Sequence, residues 1–403
     1  MRRIRVMVVD DVSIVRRLVS NALAVDSDIE IVAAAANGRE ALEKIPIVKP
    51  DLVILDYEMP EMDGMETLKE IRRRPGGPKV IFFSSYTRQG AKVSLDALWQ
   101  GADDYATKVT ADNLAAATLC VQSELLPKIK GLCEGIVSGG TTSGGAGGAG
   151  GARGSEFPAL ATIPPASGSA PASGAPGMDP PRRGDDDAAS SGASVTGPSP
   201  AAEIVAIGAS TGGPRALAAV IEGLPTDFPL PIVVVQHMPP LFTRSLAERL
   251  SSRTGLRCLE GVDGAAVEPG TVWIAPGNWH MTVAREGPEI RLRLTGDPPE
   301  NSCRPSVDPL FRSVAALYGP GALGIVLTGM GQDGLLGARR IHERDGRILV
   351  QDEATSVVWG MPGATARAGL AHKVVPLPEM AGEILKRVGA GRRRQALSQA
   401  PRS

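Results

Sequence analysis

The stretch Ile4-Arg5-Val6-Met7-Val8-Val9-Asp10-Asp11 opens the chain with a short β-branched run that stops abruptly on two carboxylates. A run of this kind fits a strand, and an amphipathic stretch over residues 12–24 follows it. Moving outward, further strand-like runs occupy residues 29–33, 52–55 and 80–83. Helical stretches lie between and after them at residues 38–44, 65–73, 91–100 and 111–126. Strands that alternate with helices predict a parallel α/β sheet, whose chemistry belongs at the carboxyl ends of its strands. A first domain is expected over residues 1–130.

From Gly135 to Pro200 the chain is nearly all Gly, Ala, Ser, Pro and Thr, with an acidic cluster at Asp185-Asp186-Asp187. It offers few large apolar groups to offset the entropy of ordering, so residues 131–202 are expected to be a long, disordered linker. Apolar runs at residues 204–207, 232–235, 272–275 and 325–327 then alternate with helical stretches at 214–222 and 241–252. They predict a second doubly wound, mostly parallel α/β domain over residues 203–389, followed by a polar tail at 390–403.

The totals agree with two domains. The 403 residues have room for two cores, and an aromatic content of 3% means that Val, Ile, Leu and Ala must build them. A formal charge of −1 argues against an extended basic surface for nucleic acid. Cys120, Cys133, Cys258 and Cys303 are widely spaced and form no C-x-x-C pair. Neither a disulfide scaffold nor a structural zinc site is expected, and a reducing, cytoplasmic setting fits best. The start Met1-Arg2-Arg3 leads into a strand rather than a signal peptide, and no apolar run is long enough to span a membrane.

In the first domain Asp10, Asp11 and Asp56 each follow a strand, which brings three carboxylates together at one edge of the sheet. Clustered carboxylates repel, and a hard divalent cation such as Mg²⁺ relieves the conflict. Ser84 and Lys108 at further strand ends suit the charge on a transferred phosphoryl group. A lone aspartate in such a place is an ordinary cap or turn former; the whole set is not. The set resembles the response-regulator receiver family through Val8-Val9-Asp10-Asp11, Leu55-Asp56-Tyr57-Glu58-Met59-Pro60, Met62-Asp63-Gly64, Ser84-Ser85 and Asp104-Tyr105-Ala106-Thr107-Lys108. The resemblance implies a flavodoxin-like (βα)5 fold, with Asp56 as phosphoacceptor and Mg²⁺ held by Asp10, Asp11 and Asp56. It also implies that Ser84 and Tyr105 relay the phosphorylated state, and that a histidine kinase is the phosphodonor. Val109 stands where the family usually has proline.

In the second domain the first strand runs into Gly208-Ala209-Ser210-Thr211-Gly212-Gly213. Glycines around Ser210 permit a tight strand-to-helix turn that lifts its hydroxyl, with helix-start amides near Thr211 and Gly212 to face an oxyanion. A capping serine and a degenerate phosphate loop compete with this reading. His237 follows the next apolar run, and Asp333 lies in the glycine-rich loop after another. Together they make a Ser–His–Asp triad credible, in an order unlike that of the α/β-hydrolases.

Residues 203–388 resemble the catalytic domain of the chemotaxis protein-glutamate methylesterase family through 207–213, 236–240, 275–277, 305–311 and 327–334. The resemblance implies Ser210 as nucleophile, His237 as base, Asp333 as orienting acid and the Met330 backbone as an oxyanion donor. It also implies chemoreceptors as substrates, demethylated and sometimes deamidated without a cofactor, by an enzyme that is peripheral to the membrane. Arg244 and Arg304 are candidate substrate contacts. Two other classes stay open: a receiver-controlled binding module with an inert esterase-like domain, and a serine hydrolase for a different acyl substrate.

Overall fold

The computed structural model describes residues 2–108, 113–137 and 201–398. The Gly/Ala/Ser/Pro tract over 138–200 and residues 109–112, with Val109, lie outside the described residues.

The N-terminal sheet comprises β1 (Ile4–Val9), β2 (Ile29–Ala35), β3 (Leu52–Asp56), β4 (Lys79–Ser85) and β5 (Asp104–Lys108). Its order is β2-β1-β3-β4-β5 and every pairing is parallel, as expected of a flavodoxin-like doubly wound sheet. Helices α1 (Ser13–Leu23), α2 (Gly38–Val48), α3 (Gly64–Arg73), α4 (Arg88–Trp99) and α5 (Leu114–Leu132), with the short α6 (Glu134–Val137), cover it. Val6, Met7, Val8 and Val9 are all buried, because helices cover both faces of the sheet.

Two features differ from the sequence expectation. β5 carries Asp104, Thr107 and Lys108, so its polarity hides it from a search for apolar runs. The last helix passes Pro127 and runs well beyond residue 126, and α6 carries helix into the stretch assigned to the linker. Val121, Leu125, Ile129 and Leu132 form a buried stripe that holds the helix together across the proline.

The second sheet has seven strands: β6 (Ile204–Ala209), β7 (Ile232–Gln236), β8 (Arg257–Glu260), β9 (Thr271–Ile274), β12 (Ala322–Val326), β13 (Arg347–Gln351) and β14 (Lys373–Val375). They pair in parallel in the order β14-β13-β12-β6-β7-β9-β8. The remaining strands, β10 (His280–Glu286) and β11 (Glu289–Thr295), make a separate antiparallel hairpin. Helices α7 (Gly213–Glu222), α8 (Phe242–Thr254), α9 (Val307–Tyr318), α10 (Leu335–Glu343), α11 (Met361–Arg367) and α12 (Leu377–Ser398) complete the domain. The last helix continues through the basic run Arg392-Arg393-Arg394, beyond residue 389 where the domain was expected to end. Alanine and arginine are good helix formers, and no proline interrupts this run.

β6 sits near the middle of the sheet between β12 and β7. The loops after β12, β6 and β7 therefore open side by side at one edge, and Asp333, Ser210 and His237 lie on those three loops. One apolar cluster continues from α4 and Tyr105 of the N-terminal domain into α7 and α8, so the two domains share a core across their seam.

Candidate active site

Ser210 follows β6 on a turn whose next bend needs Gly212, with φ of 76°. Its backbone is pinned by its own N–H donating to Thr328 O at 3.0 Å and by Gln236 Nε2 donating to its carbonyl at 2.9 Å. Gly329 must lack a side chain, since a Cβ there would lie 2.8 Å from the Cβ of Ser210. Close approach of the two strand-end loops is thus built into the glycines.

His237 Nε2 lies 2.7 Å from Asp333 Oδ2. Asp333 is buried and receives further bonds from Ser306 Oγ at 2.7 Å, Val307 N at 2.7 Å, Gly334 N at 2.9 Å and Asn301 Nδ2 at 2.9 Å. Burial alone would raise its pKa, but the bond to His237, the imidazole's charge and the donors from Val307 and Ser306 outweigh it and hold the carboxyl at about 2. Burial likewise pulls His237 down, yet the bonds to Asp333 and Cys303 hold the imidazole above its ordinary range.

The other imidazole nitrogen, Nδ1, faces Cys303 Sγ at 3.6 Å. Among the described residues Ser210 makes no hydrogen bond to His237, although both line one cavity of about 550 Å³. In resting enzymes such bonds are commonly long and tighten with substrate. Sequence reasoning gave no site role to Cys303, Ser306 or Asn301; Ser306 lies within the quoted segment 305–311, and the other two lie just before it.

The cavity is also lined by Thr211, Met330 and Arg304. Arg304 donates to Gly296 O at 2.8 Å and Asp297 O at 2.9 Å. Arg244 does not line the cavity; it is exposed on α8 and pairs with Glu248 at 3.2 Å.

The N-terminal domain supplies a further wall through Asp104, Tyr105, Glu124 and Lys128. Asp104 Oδ2 accepts a hydrogen bond at 3.1 Å from Thr211 Oγ1, on the residue next to Ser210. Tyr105 is buried, stacked on Phe242 with ring centroids 4.8 Å apart. Tyr86 OH donates to Pro240 O at 3.1 Å, and Asp96 pairs with Arg249. The N-terminal domain therefore walls one side of the cavity that Ser210 lines.

At the strand ends of the N-terminal sheet, ligand atoms of Asp10, Asp11 and Asp56 lie within 4.8 Å of one another. Lys108 Nζ sits 2.8 Å from Asp10 Oδ2 and 2.7 Å from Asp56 Oδ2. Those two oxygens are buried, and the Lys108 ammonium is the partner that both of them share. Burial pushes Asp56 up to about 6, against the opposing pull of Lys108. A donor-poor cluster of oxygens fits a hard divalent cation. Ser84 is not part of this group: its hydroxyl bonds to Ser94 Oγ at 2.6 Å and turns towards α4.

These two sites lie within recognisable families. The family model described as CheB methylesterase matches residues 205–384, and that described as response regulator receiver domain matches residues 6–118. A protein-glutamate methylesterase/protein-glutamine glutaminase of Trichodesmium erythraeum is 45% identical over 96% of this chain and 100% of its own length. Another, from a Nocardioides species, is 44% identical over 96% of each chain. The chain belongs to this family. Among solved structures, the CheB methylesterase catalytic domain of Thermotoga maritima is 41% identical, covers 46% of this chain and 98% of its own, and superposes with a TM-score of 0.45. Membership of the family spans both domains, so the acid pocket and the serine cavity belong to one protein type.

Proposed function

We propose that the chain hydrolyses glutamate methyl esters, and deamidates glutamines, on chemoreceptors, under control of phosphorylation at Asp56. The observation that carries this reading is the His237–Asp333 bond of 2.7 Å beside Ser210, in a cavity that the receiver covers.

His237 takes the Ser210 proton through Nδ1 once the hydroxyl displaces Cys303 from that nitrogen, while Asp333 holds Nε2–H and steadies the imidazolium. Ser210 Oγ bonds to the ester carbonyl carbon, and the oxyanion is met by backbone amides around Thr211, Gly212 and Met330. The proton passes from His237 to the departing methanol, or to ammonia from an amide. Water, deprotonated by His237, then cleaves the acyl-enzyme to free glutamate and restores Ser210. Arg304 on the cavity wall is a substrate contact in this reading, whereas Arg244 acts only at the periphery.

In the receiver, Asp10, Asp11 and Asp56 would hold Mg²⁺, which would supply positive charge against the phosphoryl oxygens. Lys108 contributes further charge, and a histidine kinase of the chemotaxis type is the phosphodonor. Phosphate on Asp56 draws Ser84 and Tyr105 towards it. Withdrawal of Tyr105 from Phe242 weakens the seam and shifts the population towards an uncovered cavity. No helix among the described residues is long and apolar enough to cross a membrane. The enzyme works in the cytoplasm, against the inner ends of its receptors.

Mass spectrometry of a methylated receptor tests the chemistry. Demethylation removes the mass of one methylene, and deamidation exchanges an NH for an oxygen. Ser210→Ala should abolish both; turnover within a few-fold of wild type would refute the assignment.

A further inference from the structure

Asn301 lies between two buried acids. Its Nδ2 is 2.9 Å from Asp333 Oδ1 and 2.9 Å from Asp308 Oδ2. Carboxylates only accept, so the amide must present its NH₂ group to them, one hydrogen to each. Asp308 is 1% exposed and otherwise receives Gly337 N at 2.7 Å. Burial raises the Asp308 pKa, and the charge of Asp333 adds to the effect. The same amide therefore separates an acid that must stay ionised from a neighbour that would compete for charge.

We propose that Asn301 is a positioning residue for the hydrolysis: its amide bridges Asp308 and Asp333 and holds the Asp333 carboxylate on His237. The inference rests on the triad reading above. The groups facing this bridge are His237 from the end of β7, Asp308 and Arg312 from α9, Glu300 and Cys303 from the same loop, and His280 behind Ser306. Arg312 is already bound to Glu300 by two bonds of 2.6 and 2.9 Å, so it does not replace the amide.

The backbone supplies clean variants. Asn301 has φ of 51°, in the left-handed region that Asn, Asp and Gly tolerate. Asn301→Gly deletes the amide without backbone strain, and Asn301→Asp keeps the shape but turns a donor into an acceptor. Without the donor, more charge remains on Asp333, the imidazolium beside it gains stability, and the neutral base becomes scarcer at a given pH.

The test uses the full chain on methylated receptor, with pH profiles and labelling of Ser210 by a fluorophosphonate. Asn301→Gly should lower kcat about tenfold with KM within about twofold, and raise the acid limb of kcat/KM by about half a pH unit. Asn301→Asp should lower kcat further, by about a hundredfold, with a larger shift of the limb. If the aspartate variant melts early, the glycine variant decides. An Asn301→Gly kcat within about twofold of wild type would overturn the proposal, as would a kcat loss with the acid limb unmoved. A wild-type enzyme that neither turns over nor labels would instead sink the triad reading, and this inference with it.

Discussion

Two buried aspartates in one chain are treated in opposite ways. Asp333 is surrounded by donors from Ser306, Val307, Gly334, Asn301 and His237 and is held near 2. Asp56 receives one aligned bond, from Tyr57 N at 2.7 Å, shares Lys108 with Asp10, and rises to about 6. Both are almost fully buried, so depth does not separate them; the supply of donors does. A carboxylate with surplus donors is a fixed charge, suited to orienting a histidine. One with too few is a vacancy for positive charge, suited to a cation and then a phosphoryl group.

The largest effect that would break this contrast is on turnover. Asp333→Asn should lower kcat by about 10⁴, because an amide no longer fixes the imidazole tautomer or its charge. Single-turnover assays on methylated receptor measure it, and a loss under tenfold would show that Asp333 is dispensable. The next effect is on stability. Asp333 has a folded pKa lowered from 3.8 to about 2, so its contribution is present above the unfolded value and lost as pH falls through the folded one. About 2 kcal/mol should disappear between pH ~4 and ~2, and urea titrations should find that dependence missing in Asp333→Asn.

Asp56→Asn should act in the reverse sense. In Mg²⁺-free buffer it should stabilise the chain by about 1 kcal/mol by removing a poorly supplied charge, while abolishing phosphate uptake. Destabilisation of similar size would show that Asp56 is better satisfied than its hydrogen bonds indicate. The smallest effect lies at the seam. Tyr105→Ala removes the stack on Phe242, worth about 1 kcal/mol, and should raise unphosphorylated esterase activity a few-fold. Equal basal rates would mean that this stack does not hold the cavity covered.

The sequence made the strand-end residues legible because apolar runs end sharply at Asp10, Asp56, Ser210 and His237. The range of β5 was not among the apolar runs, although Lys108 was placed at a strand end, since a polar edge strand is recognised by its partner and not by its composition. Asn301, Cys303 and Ser306 were hidden for a related reason. They come from a loop whose approach to Asp333 is set by α9 and not by any local period. Ser84 shows the converse: its place in the chain was right for the acid pocket, but its rotamer faces α4. Position along a strand can be read from sequence, whereas side-chain direction needs the neighbours.

Trp99 sits at the same seam with Arg249 4.8 Å and Arg253 5.8 Å from its ring, both arising from α8 across the boundary. Only four tryptophans occur in the chain, and the other three, Trp273, Trp279 and Trp359, lie in the C-terminal domain. An indole with two guanidinium groups against its ring changes surroundings when they leave, and its emission responds to that change. Were the two domains to part, this indole would lose both guanidinium groups together, so stopped-flow fluorescence would time the event without any attached dye.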